Sequence, residues 1–174
     1  MNYMKIDKTS ISNGLGFRVV LWCAGCTLQC KGCHNPQAQD FKAGTLFDDK
    51  AKNFLFEQLR KPYIKGITLS GGHPLEKNNV QKILDLIIEI KEKFPSKDIW
   101  LYTGWTLSES DFKHSYGDLG RYNEILKKCD VVVDGPYIEE QRDITLPFCG
   151  STNQRLIDVQ ETLKQGQIIQ YKIN

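Results

Sequence analysis

FRVVLWCAGCTLQCKGCHNP, residues 17–36, decides the fold and points to the chemistry. Its first seven residues are rich in β-branched and aromatic side chains and predict a strand. Phe17, Val19, Leu21 and Cys23 alternate along one face of that strand, so Cys23 reads as a buried, inert thiol. The chain then becomes polar and glycine-rich, and Cys26, Cys30 and Cys33 follow in a loop. Gly14 and Gly16 lie just ahead of the strand.

Outward from this stretch, strands and helices alternate. Helical spacing of Ala51, Phe54, Leu55 and Leu59 predicts a helix over 47–60, with Asp48 and Asp49 suited to its start. Residues 66–70 form a short strand that ends in Gly71-Gly72-His73-Pro74. Asn78 is placed to cap a long helix over 79–93, whose stripe is Val80, Ile83, Leu84, Ile87 and Ile88. Strands follow at 98–103 and 129–133, a weaker helix lies between them at 119–128, and residues 167–173 have strand composition. Such alternation predicts parallel βα units in an α/β fold. A closed eight-unit barrel needs about 250 residues, so 174 allow an open doubly wound sheet or a partial barrel. In either, the cysteine loop, Ser70-Gly71-Gly72, Thr103-Gly104-Trp105 and Asp134-Gly135 gather at the carboxyl edge of the sheet.

Composition narrows the function. The net charge of +2 excludes charge-driven capture of nucleic acid, and 174 residues imply a single domain over 1–174. No apolar run reaches the roughly 18 residues of a membrane span, and the opening MNYMKIDKTS lacks a signal-peptide core. A reducing cytoplasm is the expected compartment, where clustered cysteines serve metals or redox chemistry. Four of the six cysteines fall between positions 23 and 33, while Cys129 and Cys149 stand apart.

Three thiolates in one short loop can ligate three irons of a cubane cluster and leave the fourth free of protein ligands. A closed zinc site needs a fourth ligand, which Cys23 or His34 could supply. The two C-x2-C pairs are only three residues apart, however, against about 15–20 in a zinc ribbon. Thiol redox chemistry needs one such pair. Ligand type and spacing favour the cluster and leave the other two open.

C-x3-C-x2-C after a first strand, followed by Gly-Gly after the next, resembles the radical S-adenosylmethionine superfamily. Further motifs follow in order: Asn13-Gly14-Leu15-Gly16, Cys33-His34-Asn35, Ser70-Gly71-Gly72-x-Pro74-Leu75, Asp98-Ile99-Trp100 with Thr103-Gly104, Val133-Asp134-Gly135, and Gly150-Ser151-x-Asn153-Gln154-Arg155. Together they are similar to the activating proteins of anaerobic ribonucleoside-triphosphate reductases. The resemblance implies a partial, open βα barrel of parallel strands with outer helices. It also implies a [4Fe-4S] cluster on Cys26, Cys30 and Cys33, with S-adenosylmethionine bound near Gly32, Cys33, His34, Gly71 and Gly72. The implied activity is reductive cleavage of S-adenosylmethionine to make a glycyl radical on the large reductase subunit, fed by a flavodoxin-like one-electron donor. Neither nucleic acid nor membrane is an implied partner.

Two alternatives stand beside this reading: an activase for another glycyl-radical enzyme, and a non-enzymatic zinc-binding module. Residues 36–69 contain no cysteine, so the ferredoxin-like insert common in other activases is missing. His73 departs from the pattern, because the family usually has an acid there. The expectation is a backbone role for the turn, an exposed histidine at 73 and tolerance of His73→Asp. His114 reads as surface, Trp105 as half-buried, and Cys129 and Cys149 as structural thiols. The segment 150–155 reads as a turn that binds ligand or partner.

Overall fold

Aliphatic runs that are apolar on both sides of the chain make poor surface strands and good central ones. Four such runs form the middle of the sheet in the computed structural model, which describes residues 1–113 and 118–173. The described strands are β1 (Asn2–Ser10), β2 (Phe17–Cys23), β3 (Thr45–Leu46), β4 (Ile64–Gly71), β5 (Asp98–Tyr102), β6 (Val131–Asp134) and β7 (Arg155–Asp158). The described helices are α1 (Asp49–Leu59), α2 (Val80–Lys93), α3 (Ser110–Lys113), α4 (Asp118–Lys128) and α5 (Val159–Gln165). The strand order is β3-β1-β2-β4-β5-β6-β7. β2, β4, β5 and β6 run parallel, while β1 joins β2 and β3, and β7 joins β6, in antiparallel pairing.

One face of the sheet presents Val19, Leu21, Ile67, Leu69, Ile99, Leu101 and Val132 to Leu55, Ile83, Ile87 and Ile125 of the helices. The other face carries a smaller apolar group, Trp100, Val131 and Val133, with Leu15, Phe148 and Tyr171 packed on it. Arg18 is fully buried, 5.1 Å from the Trp100 ring. It donates to Thr68 Oγ1 (2.8 Å) and Ile67 O (2.7 Å) and pairs with Asp98 (2.5 Å). Burial lowers the Arg18 pKa, against the pull of Asp98. Thr68 in turn donates to Asn13 O, which folds the Asn13–Gly16 turn onto the sheet. No described helix is long and apolar enough to cross a membrane.

Several elements differ from expectation. The sheet is mixed rather than purely parallel. β1 and β7 were not read from the sequence; both lie outside the parallel centre and are only partly buried. Residues 167–173 make a single bridge, Gln170 to Ile157, in place of a strand. Cys129 follows α4 instead of opening β6, and its buried thiol donates to Ile125 O. The cap of α2 is Asn79 rather than Asn78, and its side chain reaches Ala24 O and His73 O instead of the helix. Asp48 does cap α1, accepting from Ala51 N at 2.9 Å. His114 lies outside the described residues.

Candidate metal centre

Parallel pairing brings the carboxyl ends of β2, β4, β5 and β6 to one edge, and the loops that follow them form a cleft of about 740 Å³. That is within the usual size of a small-molecule site. Cys26, Cys30, Cys33, His34, Gly71, Gly72 and His73 all line it, with Thr103, Gly104 and Gly135. The expected gathering of loops is therefore present. Gly32 lies outside this lining; a side chain there would meet Glu139 and Tyr137 instead.

The cysteine loop is tied down by backbone bonds. Ala24 N donates to Asn2 O, Gly25 N to Ala38 O and Cys26 N to Gln39 O, at 2.8–3.0 Å. Burial raises the Cys26 thiol pKa, and the charges of Glu76, Cys30 and Cys33 add to the rise. A bound cation reverses that order, because a coordinating thiol is deprotonated outright. Cys23 is fully buried and its thiol is pushed up to about 12, as befits an inert core residue. Among the described residues, no three His, Cys, Asp or Glu groups meet closely enough to share one metal ion. Cys26, Cys30 and Cys33 nevertheless line one and the same cleft.

The turn after β4 is fixed from inside the protein. Gly71 has φ +104°, which favours glycine. Gly72 N donates to Cys23 O (2.7 Å) and His73 N to Gly25 O (2.8 Å). Those two donors are thus engaged, and what the turn can offer a ligand is carbonyl acceptors.

His73 is buried, contrary to the exposed residue expected. The Pro74–Glu76 turn folds its ring inward, where Nε2 lies 2.8 Å from Thr103 Oγ1 and the ring stands edge-on to Trp105 at 4.7 Å. Burial lowers its pKa, against the opposing effect of Glu76. Trp105 is half-buried as expected, and His34 is exposed, tilted against Tyr137 at 5.6 Å.

The segment 150–155 has a structural role. Arg155 pairs with fully buried Asp134 through Nε–Oδ1 (3.0 Å) and Nη2–Oδ2 (2.5 Å). Gln154 donates to Gly135 O and Asn153 to Pro136 O. The two late motifs therefore fold onto each other and carry Leu146, Phe148, Cys149 and Gly150 into the cleft wall. The Cys149 thiol is pushed up to about 11 by burial and then by Asp134. Glu76 is the residue that sequence reading missed. It accepts from Thr27 N and Thr27 Oγ1, and its signal was an acid three residues past His73 in the same turn.

A family model described as a 4Fe-4S single cluster domain matches residues 12–157. The chain's relatives include three named anaerobic ribonucleoside-triphosphate reductase-activating protein that differ in source. That of Haemophilus influenzae is 40% identical over 156 residues, covering 88% of this chain and 96% of its own. That of Enterobacteria phage T4 is 40% identical, covering 90% and 93%. That of Escherichia coli K12 is 34% identical, covering 88% and 96%. With its three cleft cysteines inside the matched span, the chain belongs to the anaerobic ribonucleoside-triphosphate reductase-activating protein family and contains a 4Fe-4S single cluster domain.

Proposed function

We propose that the chain activates an anaerobic ribonucleoside-triphosphate reductase, with Cys26, Cys30 and Cys33 holding three irons of a [4Fe-4S] cluster and S-adenosylmethionine chelating the fourth. When bound, the cluster supplies the single electron that splits S-adenosylmethionine into methionine and a 5′-deoxyadenosyl radical, which takes a hydrogen atom from a backbone glycine of the reductase. The observation that carries this reading is one cleft lined by all three cysteines together with Gly71 and Gly72. An amino group bound to iron still carries N–H donors, so the backbone carbonyls at Gly71 and Gly72 suit it even though His73 brings no negative charge. His34 and Cys33 line the same cleft and suit the rest of the cofactor. The fold reading that accompanies this is a partial, open βα barrel, supported by four parallel strands with helices on one face. The electron would come from a flavodoxin-like donor in a reducing cytoplasm.

The test uses the reductase labelled with α-deuterated glycine, mixed anaerobically with reconstituted protein, S-adenosylmethionine and a strong one-electron reductant. Deuterium is expected in 5′-deoxyadenosine, with a glycyl radical signal growing in the reductase. Cleavage without transfer to a partner competent with another activase defeats the substrate assignment. A colourless protein with zinc and no iron after reconstitution defeats the cluster itself.

A further inference from the structure

Glu76 has no part in the chemistry above, yet it is a buried carboxylate beside the cysteine loop. Its Oε1 accepts two hydrogen bonds from one residue, Thr27 N at 2.8 Å and Thr27 Oγ1 at 2.7 Å. Charge-assisted bonds of this kind are about twice as strong as neutral ones. Its own backbone is fixed at the start of α2: Glu76 N donates to His73 O, and Glu76 O accepts from Asn79 N and Val80 N. Asn79 Nδ2 donates to Ala24 O at 2.9 Å. The 73–79 turn thus grips the chain at Ala24 and at Thr27, the residues that bracket Gly25 and Cys26.

His73 completes the arrangement. Its Nδ1 is buried, lacks a hydrogen-bond partner and lies 3.4 Å from Glu76 Oε1. Thr103 Oγ1 accepts from Trp105 N, and the assignment that serves every group has this hydroxyl donating to His73 Nε2. The ring proton then sits on Nδ1 and faces the carboxylate. An acid at 73 would instead set a second negative charge against Glu76.

We propose that Glu76 is a positioning residue for Cys26: it holds the ligand through Thr27, and His73 is the neutral neighbour that lets a carboxylate occupy that place. This rests on the cluster reading above. Outer groups that orient metal ligands typically change metal affinity by about 10–100-fold when removed.

The experiment reconstitutes each variant anaerobically, then measures iron and sulfide, the electron paramagnetic resonance spectrum of the reduced protein, and the rate at which a chelator strips the iron. A parent without iron and sulfide refutes the cluster reading; the comparisons among variants test Glu76. Glu76→Ala is expected to lose iron about tenfold faster than the parent, with an altered spectrum. Glu76→Gln keeps the acceptor oxygen and should stay within about threefold of the parent. Against the tolerance expected from the sequence, His73→Asp should lose iron faster, because His73 is buried 3.4 Å from Glu76, and His73→Asp/Glu76→Gln should recover most of that loss. Thr27→Val removes only the hydroxyl of an exposed residue and should show a smaller acceleration. A parent-like spectrum and stripping rate in Glu76→Ala overturn the proposal. So does a parent-like result in Thr27→Val, should Glu76→Ala fail to fold.

Discussion

A Cβ on Gly72 would come within 2.6 Å of Gly25 O and 2.7 Å of Ala38 O. The protein's own backbone therefore demands glycine there, before any ligand is considered. Gly72→Ala should push the cysteine loop off the turn, so iron binding should fall together with S-adenosylmethionine binding. Iron and sulfide analysis beside a ligand titration checks this; normal iron with weakened ligand would move the constraint to the ligand side. The cysteines should divide sharply. Ala at 26, 30 or 33 should abolish iron binding, whereas Cys23→Ala should keep the cluster and cost about 1 kcal/mol of stability, measured by urea unfolding. His73 adds a pH signature. Burial lowers its pKa from the ordinary 6.5, so the unfolded chain takes up the proton first as pH falls. The stability due to neutral His73 is present above that ordinary value and is lost below it. Denaturation of metal-free protein between roughly pH 7 and 5 should show a steeper fall in the parent than in His73→Gln. Equal slopes would mean the ring is not buried neutral.

At the scale of elements, Asp134 closes β6 and Arg155 opens β7, and the pair of strands is held by their ion pair as well as by the ladder. Arg155→Ala leaves a buried carboxylate without its cation and should cost about 3 kcal/mol. Asp48→Ala removes only the cap of α1 and should cost about 1 kcal/mol. Urea unfolding of both variants checks the ranking; a smaller loss in Arg155→Ala would show that Leu107 N, which also donates to Asp134, suffices for its charge. This pair also explains what was legible in the chain. β2, β4, β5 and β6 are buried on both faces and read as apolar runs. The three cysteines were legible because their spacing is local. β1 reads NYMKIDKTS and β7 reads RLID, mixtures whose strand character comes from a neighbour rather than from their own pattern. The partner of Glu76 is 49 residues away in sequence, and that of Arg155 is 21. Local spacing does not encode such pairings, so the motifs at 133–135 and 150–155 were visible while their contact was not.

For the molecule as a whole, the two faces of the sheet are unequally protected. The helical face packs Leu55, Ile83, Ile87 and Ile125 onto four strands. The cleft face relies on Trp100, Val131 and Val133 under Leu15, Tyr171 and a cover from residues 136–154 that contributes Phe148 and Cys149. That cover is pinned by Tyr102 Oη donating to Phe148 O (2.9 Å) and by the Trp100–Phe148 ring contact at 5.3 Å. Its other bonds are largely internal, such as Thr152 N to Gln141 O and Asp143 N to Gly150 O. Phe148 also holds φ +60°, a conformation that costs a residue with a side chain about 1 kcal/mol. Regions with few buried apolar contacts open at lower free energy than the core. Amide hydrogens of 136–154 should therefore exchange faster than those of β2, β4 and β5. The same segment supplies Leu146, Phe148, Cys149 and Gly150 to the cleft, so a ligand bound there stabilises the closed cover by mass action. In anaerobically reconstituted protein, saturating S-adenosylmethionine should slow exchange across 136–154 and leave the central strands little changed. Under the proposed function, low local stability would let this cover part for a glycine-bearing loop and close over the cofactor. Core-like protection of 136–154 without ligand, or exchange there indifferent to S-adenosylmethionine, would show that the partner's glycine enters by another side of the cleft.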